Sequence, residues 1–168
     1  RIEAEGIVMS TESYGPVSIS SSHVAFVVPS KNHVAVHALP SAGQVFDRRE
    51  VHYIPIDTIS FLVCFSPDGS LLAVAENTRR LQIFKVETGE AIECCNADET
   101  AVSPCYTASF SSSGKLAAVS TTTPGPKGLY VVDIQSDSLV VELGPAHADV
   151  GVCRFPHFDG DESRLCFY

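Results

Sequence analysis

FSPDGSLLAVAENTRRLQIFKVETGE, residues 65–90, decides the reading of this sequence. Phe65 closes a short apolar run, FLVCF (61–65), and Ser66-Pro67-Asp68-Gly69 follows as a tight polar turn. Each residue of that turn has a reason to be there. Proline presets φ, an aspartate side chain bonds nearby backbone, and glycine accepts the positive φ such turns demand. LLAVA (71–75) and RLQIFKV (80–86) are further short runs bounded by turn-forming residues, and rich in residues that favour strands.

The same grammar recurs on both sides. Phe65, Phe110 and Phe155 stand 45 residues apart, closing FLVCF, YTASF (106–110) and VGVCRF (150–155). The turns SPDG (66–69), SSSG (111–114) and PHFDGDES (156–163) follow, then the runs LLAVA, LAAVS (116–120) and RLCFY (164–168). A fainter copy precedes them in GPVSIS and HVAFVV (23–28). Third strands are expected at HVAVHAL (33–39), RLQIFKV and LYVVDI (129–134). Fourth strands are expected at QVFDRREV (44–51), EAIECC (90–95) and SLVVEL (138–143). No window shows a helical stripe. A period of about 45 residues holding four short strands, a to d, is the signature of a propeller blade. A β-sandwich, the other all-β solution, does not repeat its side-chain pattern at a fixed interval. The fold expected is therefore all-β: propeller blades of four antiparallel strands, about three and a half repeats in an incomplete ring. Residues 1–14 form a lead-in, 15–59, 60–104 and 105–149 three blades, and 150–168 the start of a fourth. Because the last run falls inside strand b, the chain is expected to be part of a longer one or to be completed by a partner.

These residues resemble the WD40 family. FSPDGSLLAVAENTRRLQIFKVETGE carries its a-strand, hairpin, Leu-Ala pair and c-strand ending, and GPAHADVGVCRF (144–155) places His147 where the family has its Gly-His histidine. No Trp occurs anywhere, so Phe84-Lys85 and Val132-Asp133 stand where the Trp-Asp dipeptide would be. What the resemblance implies is a non-catalytic scaffold that binds other protein subunits within a larger assembly.

Composition agrees with a buried globular chain. Of 168 residues 45% are hydrophobic and 18% charged, which excludes bulk disorder. No apolar run reaches the ~18 residues of a membrane-spanning helix. The net charge of −9 argues against non-specific nucleic-acid binding. Six cysteines, at 64, 94, 95, 105, 153 and 166, form no CxxC and no zinc-finger spacing. Cys64, Cys105, Cys153 and Cys166 lie in apolar runs and are expected as buried thiols in a reducing, intracellular compartment, cytoplasm or nucleus.

Candidate chemistry is sparse. HFDGDE (157–162) offers three acids as a cation loop, but it stands where SPDG and SSSG are turns and lacks the twelve-residue ligand pattern of a calcium-binding hand. TTTPGPKG (121–128) is Gly-rich but precedes a strand, so no helix N-terminus is there to hold phosphate. No phosphate-binding, hydrolase or zinc-protease motif is present, and no cofactor is implied. Strand a, which lines a propeller channel, offers Ser18, Ser20, Cys64, Thr107 and Ser109 but no cluster of acids or histidines. An enzyme is therefore not expected. The b–c loops share one face of a propeller, and each carries a base without an acid: Lys31, Arg79 with Arg80, and Lys127. The opposite turns hold Asp68, Glu87, Glu90, Asp137, Asp159, Asp161 and Glu162, with Lys115 the exception. Lys31, Arg79, Arg80 and Lys127 are thus the candidate partner-binding rim, for an acidic or phosphate-bearing partner. The alternative function is a propeller binding an anionic ligand, phosphoinositide or RNA-associated. The Phe-Arg-Arg-Gly motif of phosphoinositide-binding propellers does not occur in these residues.

Overall fold

The computed structural model describes residues 16–28, 32–41, 50–56, 60–76, 81–92, 105–121, 129–136, 138–143 and 156–166. Every regular element among them is a strand. The first sheet runs β1 (Val17–Ile19), β2 (His23–Val28), β3 (His33–Ala38), β4 (Glu50–Pro55). The second runs β5 (Ser60–Phe65), β6 (Leu71–Glu76), β7 (Leu81–Lys85), β8 (Ala91–Ile92). The third runs β9 (Cys105–Phe110), β10 (Leu116–Thr121), β11 (Leu129–Asp133), β12 (Ser138–Leu143). A hairpin of β13 (His157–Phe158) and β14 (Leu165–Cys166) begins a fourth. In each sheet every strand pairs antiparallel with the next in sequence, so each is a meander with strand a at one edge and strand d at the other. These are propeller blades in an open array.

The sheets stack through their faces, and the period-two alternation of side chains makes that possible. In β6, Leu72 and Val74 join Val63, Phe65, Phe84 and Val86 against Ala25, Val27, Val34, Val36, Ile54 and Ile56 of the first sheet. Ala73 and Ala75 point the other way, with Leu81 and Ile83, against Phe110, Ala117, Val119, Tyr130, Val132 and Ile134 of the third. The middle sheet is buried on both faces, which is why LLAVA reads as an unbroken apolar run. Fully buried Leu72, Leu81 and Ile83 each contribute about 1.5–3 kcal/mol by leaving water.

Three expectations need correction. Strand d of the first sheet covers Glu50–Pro55 and so runs past the expected end at 51; residues 42–49 lie outside those described. Its burial alternates from Tyr53 (exposed) through Ile54 (buried) and Pro55 (exposed) to Ile56 (buried). Pro55 is tolerated there because an edge strand need not donate on both sides. His52 consequently lies within the strand rather than after it. In the fourth copy the residue that closes strand a is Phe158, paired with Leu165 as Phe65 pairs with Leu72 and Phe110 with Ala117. The turn is therefore Asp159–Glu162, as short as the others, and Phe155 lies outside the described residues. Cys166, finally, is exposed rather than buried, whereas Cys64 is partly buried and both are free thiols. Burial raises the Cys64 pKa and keeps it a poor nucleophile. Cys94, Cys95, Cys153 and the side chain of Cys105 lie outside what is described.

Candidate functional site

The described surface richest in polar chemistry is the face that carries the a–b and c–d turns. Its a–b turns share one frame. The Ser66 N–H donates to Leu71 O at 2.9 Å, the Leu71 N–H to Ser66 Oγ at 2.9 Å, and the Gly69 N–H to Ser66 O at 2.9 Å. Ser111 repeats this with Leu116 and Gly114 (2.9, 3.2 and 3.0 Å). Asp159 repeats it with Arg164 and Glu162 (3.1, 3.0 and 3.0 Å). In the first sheet Ser20 makes a shorter version with His23 (2.8 and 2.9 Å). A short oxygen-bearing side chain is thus required just after strand a, and Ser20, Ser66, Ser111 and Asp159 supply it. In the first three sheets the a–b turn also holds the c–d turn, through the N–H of Leu39, Val86 and Ile134 donated to the carbonyls of Ser22, Ser70 and Lys115 at 2.7–2.9 Å.

Successive a–b turns lean on each other. A Cβ on Gly69 would stand 3.1 Å from Ser20. Gly69 and Gly114 have φ of 74° and 71°, and Glu162 holds the same place at 61°. Its carboxylate reaches back to the preceding turn, accepting from Ser112 Oγ at 2.7 Å, Ser113 Oγ at 2.9 Å and the Ser113 N–H. Serine hydroxyl and amide donors hold Glu162 below the ordinary carboxylate range. Asp68 is lowered mainly by Ser66 Oγ, at 2.6 Å. Asp133 is lowered by the Ser136 N–H, Asp161 by Ser163, and Glu90 by Lys85, at 2.8 Å. The carboxylates of HFDGDE are engaged in this way, Asp159 with Arg164 and Ser163, Asp161 with Ser163, Glu162 with the neighbouring turn. No three metal-ligating side chains cluster among the described residues.

Two histidines sit where the first and second sheets meet. His52 Nε2 donates to Glu87 O at 3.0 Å, and its ring lies so close over Gly89 that a Cβ there would be 2.8 Å from Nδ1. His23 faces Phe65, with its Nδ1 2.9 Å from Ser22 Oγ. Partial burial, and then the charge of His52, lower its pKa.

Strand a holds few reactive groups. Ser18 Oγ accepts the Phe65 N–H of the next sheet at 3.1 Å, and Thr107 Oγ1 lies 2.7 Å from Ser120 Oγ. Ser109 Oγ is buried without a hydrogen-bond partner among the described residues. Between the second and third sheets lies a groove of about 510 Å³, floored by Leu71, Ala91, Ile92 and Ile134 and rimmed by Lys85, Glu90, Lys115 and Gln135. Sequence reasoning missed it, because its walls come from turns far apart in the chain. Lys31, Arg79, Arg80 and Lys127 of the basic rim lie outside the described residues, as do His147, Asp137 and most of TTTPGPKG.

No family model matches the chain, and no curated protein matches it in sequence. Solved structures match its fold. It is similar to Kuenenia stuttgartiensis hydrazine synthase at 16% identity and a TM-score of 0.65, over 97% of this chain and 44% of that one. It is similar to a chain in the crystal structure of a mitotic checkpoint complex at 10% identity and a TM-score of 0.70, over 92% and 45%. At these identities the likeness shows the fold, a β-propeller, and the chain spans less than half the length of either match.

Proposed function

We propose that this chain is a WD40-like, non-catalytic scaffold whose braced turns present a fixed surface to other subunits of an assembly. The observation that carries the reading is the turn face. Four successive turns are built on one hydrogen-bond frame, and neighbouring turns touch. Loops held in this way lose little conformational freedom on binding, which favours docking. Strand-a hydroxyls tied into the fold at Ser18 and Thr107 support a binding rather than a catalytic role. So does the likeness to a component of a multi-subunit complex. The half-buried Cys64 thiol suits a reducing intracellular compartment. In native extract the protein is expected to elute with stoichiometric protein partners, above the size it has by itself. Elution alone would reject the scaffold.

A second reading, an anionic ligand at Lys31, Arg79, Arg80 and Lys127, rests on three b–c loops that carry bases and no acids. Reversing Arg79 and Arg80 to Glu is expected to weaken partner or phosphate binding and to flatten its salt dependence. Binding at two salt concentrations checks this, and unchanged values remove the rim from the function.

A further inference from the structure

We infer that the groove between the second and third sheets seats a short protein segment bearing one carboxylate flanked by apolar side chains. The inference deepens the scaffold reading and rests on it. The floor is apolar: Leu71, Ala91, Ile92 and Ile134. Its volume, about 510 Å³, falls in the range of pockets that take small ligands and anchor side chains. The charges of the rim are unequal. Lys85 is neutralised by Glu90 at 2.8 Å. Lys115 is exposed, and its ammonium makes no hydrogen bond or ion pair among the described residues. Asp133 lies near enough to interact with it through space. Among the described residues lining the groove, Lys115 is thus the cation without an ion-pair contact, on a face where Asp68, Glu87, Asp133, Asp159, Asp161 and Glu162 are all acidic.

That pattern selects the occupant. Apolar side chains leave water on the floor, and a carboxylate beside them reaches Lys115. A basic segment would put a second cation against Lys115, within a groove that screens it less than open water does. A run of acids would be repelled by Glu90 at the same rim and by Asp133 near Lys115, so a single carboxylate fits best. The side chain of Gln135 stands at the same rim to donate to the second carboxylate oxygen.

The test uses the full chain and three end-blocked peptides: Gly-Leu-Asp-Leu-Gly, its lysine counterpart Gly-Leu-Lys-Leu-Gly, and its apolar-stripped counterpart Gly-Ser-Asp-Ser-Gly. Titration followed by amide shifts should show saturable binding of the first alone, with shifts around Ile92, Lys115 and Ile134. Lys115→Glu, at an exposed position that leaves folding intact, is expected to weaken it at least about tenfold, and Gln135→Lys to tighten it. Absence of saturable binding, equal binding of all three peptides, or indifference to Lys115→Glu would overturn the inference. If the assembly in native extract survives while the probe fails, the groove alone is rejected. A chain that elutes without partners rejects the scaffold reading itself.

Discussion

Glu162 occupies a left-handed backbone position that glycine holds in the two preceding turns, and its carboxylate is what compensates. A side chain at positive φ is strained by its Cβ. Glu162→Ala keeps the strain and loses the bonds to Ser112 and Ser113, so it is expected to melt below Glu162→Gly, which loses the bonds but also the strain. The reverse order in thermal denaturation would refute this account. Gly69 has the same φ without a compensating group and packs on Ser20, so Gly69→Ala is expected to cost about 1–2 kcal/mol in denaturant titration. His23 sets a pH dependence. Because its folded pKa lies below the unfolded value of about 6.5, the unfolded chain binds more protons as pH falls. Its contribution to stability is complete above that value and is lost as pH drops through the lower, folded one. The aspartates and glutamates of the turn face, lowered by their donors, keep their contribution until far more acid conditions. Thermal melts between pH 7 and 5 should therefore fall less steeply in His23→Asn than in the natural chain.

At the level of the element, β6 shows what two-sided burial does. Leu72 fills a core on one side and Ala73 keeps the other side thin. Leu72→Ala is expected to cost about 2–5 kcal/mol by leaving a cavity, and Ala73→Leu about 1–3 kcal/mol by overpacking the opposite seam. Equal tolerance of both in equilibrium unfolding would contradict the two-sided packing. The strands that were legible in the sequence, β2, β3, β5, β6, β7, β9, β10, β11 and β12, are short apolar or β-branched runs closed off by turn-forming residues. The bounds of β4 were missed because it faces water on alternate residues, so its apolar signal is weak next to the charged stretch before it. The fourth copy misled for another reason. Phe155 keeps the interval of 45, but the place beside the turn belongs to Phe158, whose interval from Phe110 is 48. Periodicity reports spacing, and only pairing reports register.

For the whole molecule, the turn face was legible as a row of acids, but the contacts that join its turns and the groove between sheets were not. Both are made by residues that the repeat separates by tens of positions. Among the described residues, the first strand of the array leaves apolar side chains in water. Val17 and Ile19 are 49% and 68% exposed, while Val63 and Phe65, their equivalents in the second sheet, are 4% and 7% exposed beneath the first. Val17→Ser with Ile19→Ser is expected to lower concentration-dependent light scattering without lowering the melting temperature by more than a few degrees. Unchanged scattering would place the sticky surface elsewhere. The strand order has a consequence for how the molecule is made. Every pairing among the described strands joins neighbours in the chain, so each of these hairpins can close in about 1–10 μs while a ribosome adds only about 5–20 residues per second. Pairing is thus at equilibrium at every stage of synthesis, and since an isolated hairpin is barely stable, commitment comes when β6 emerges to cover the first sheet. The nascent chain locks sheet by sheet, from its N-terminal end, in the order in which it is translated.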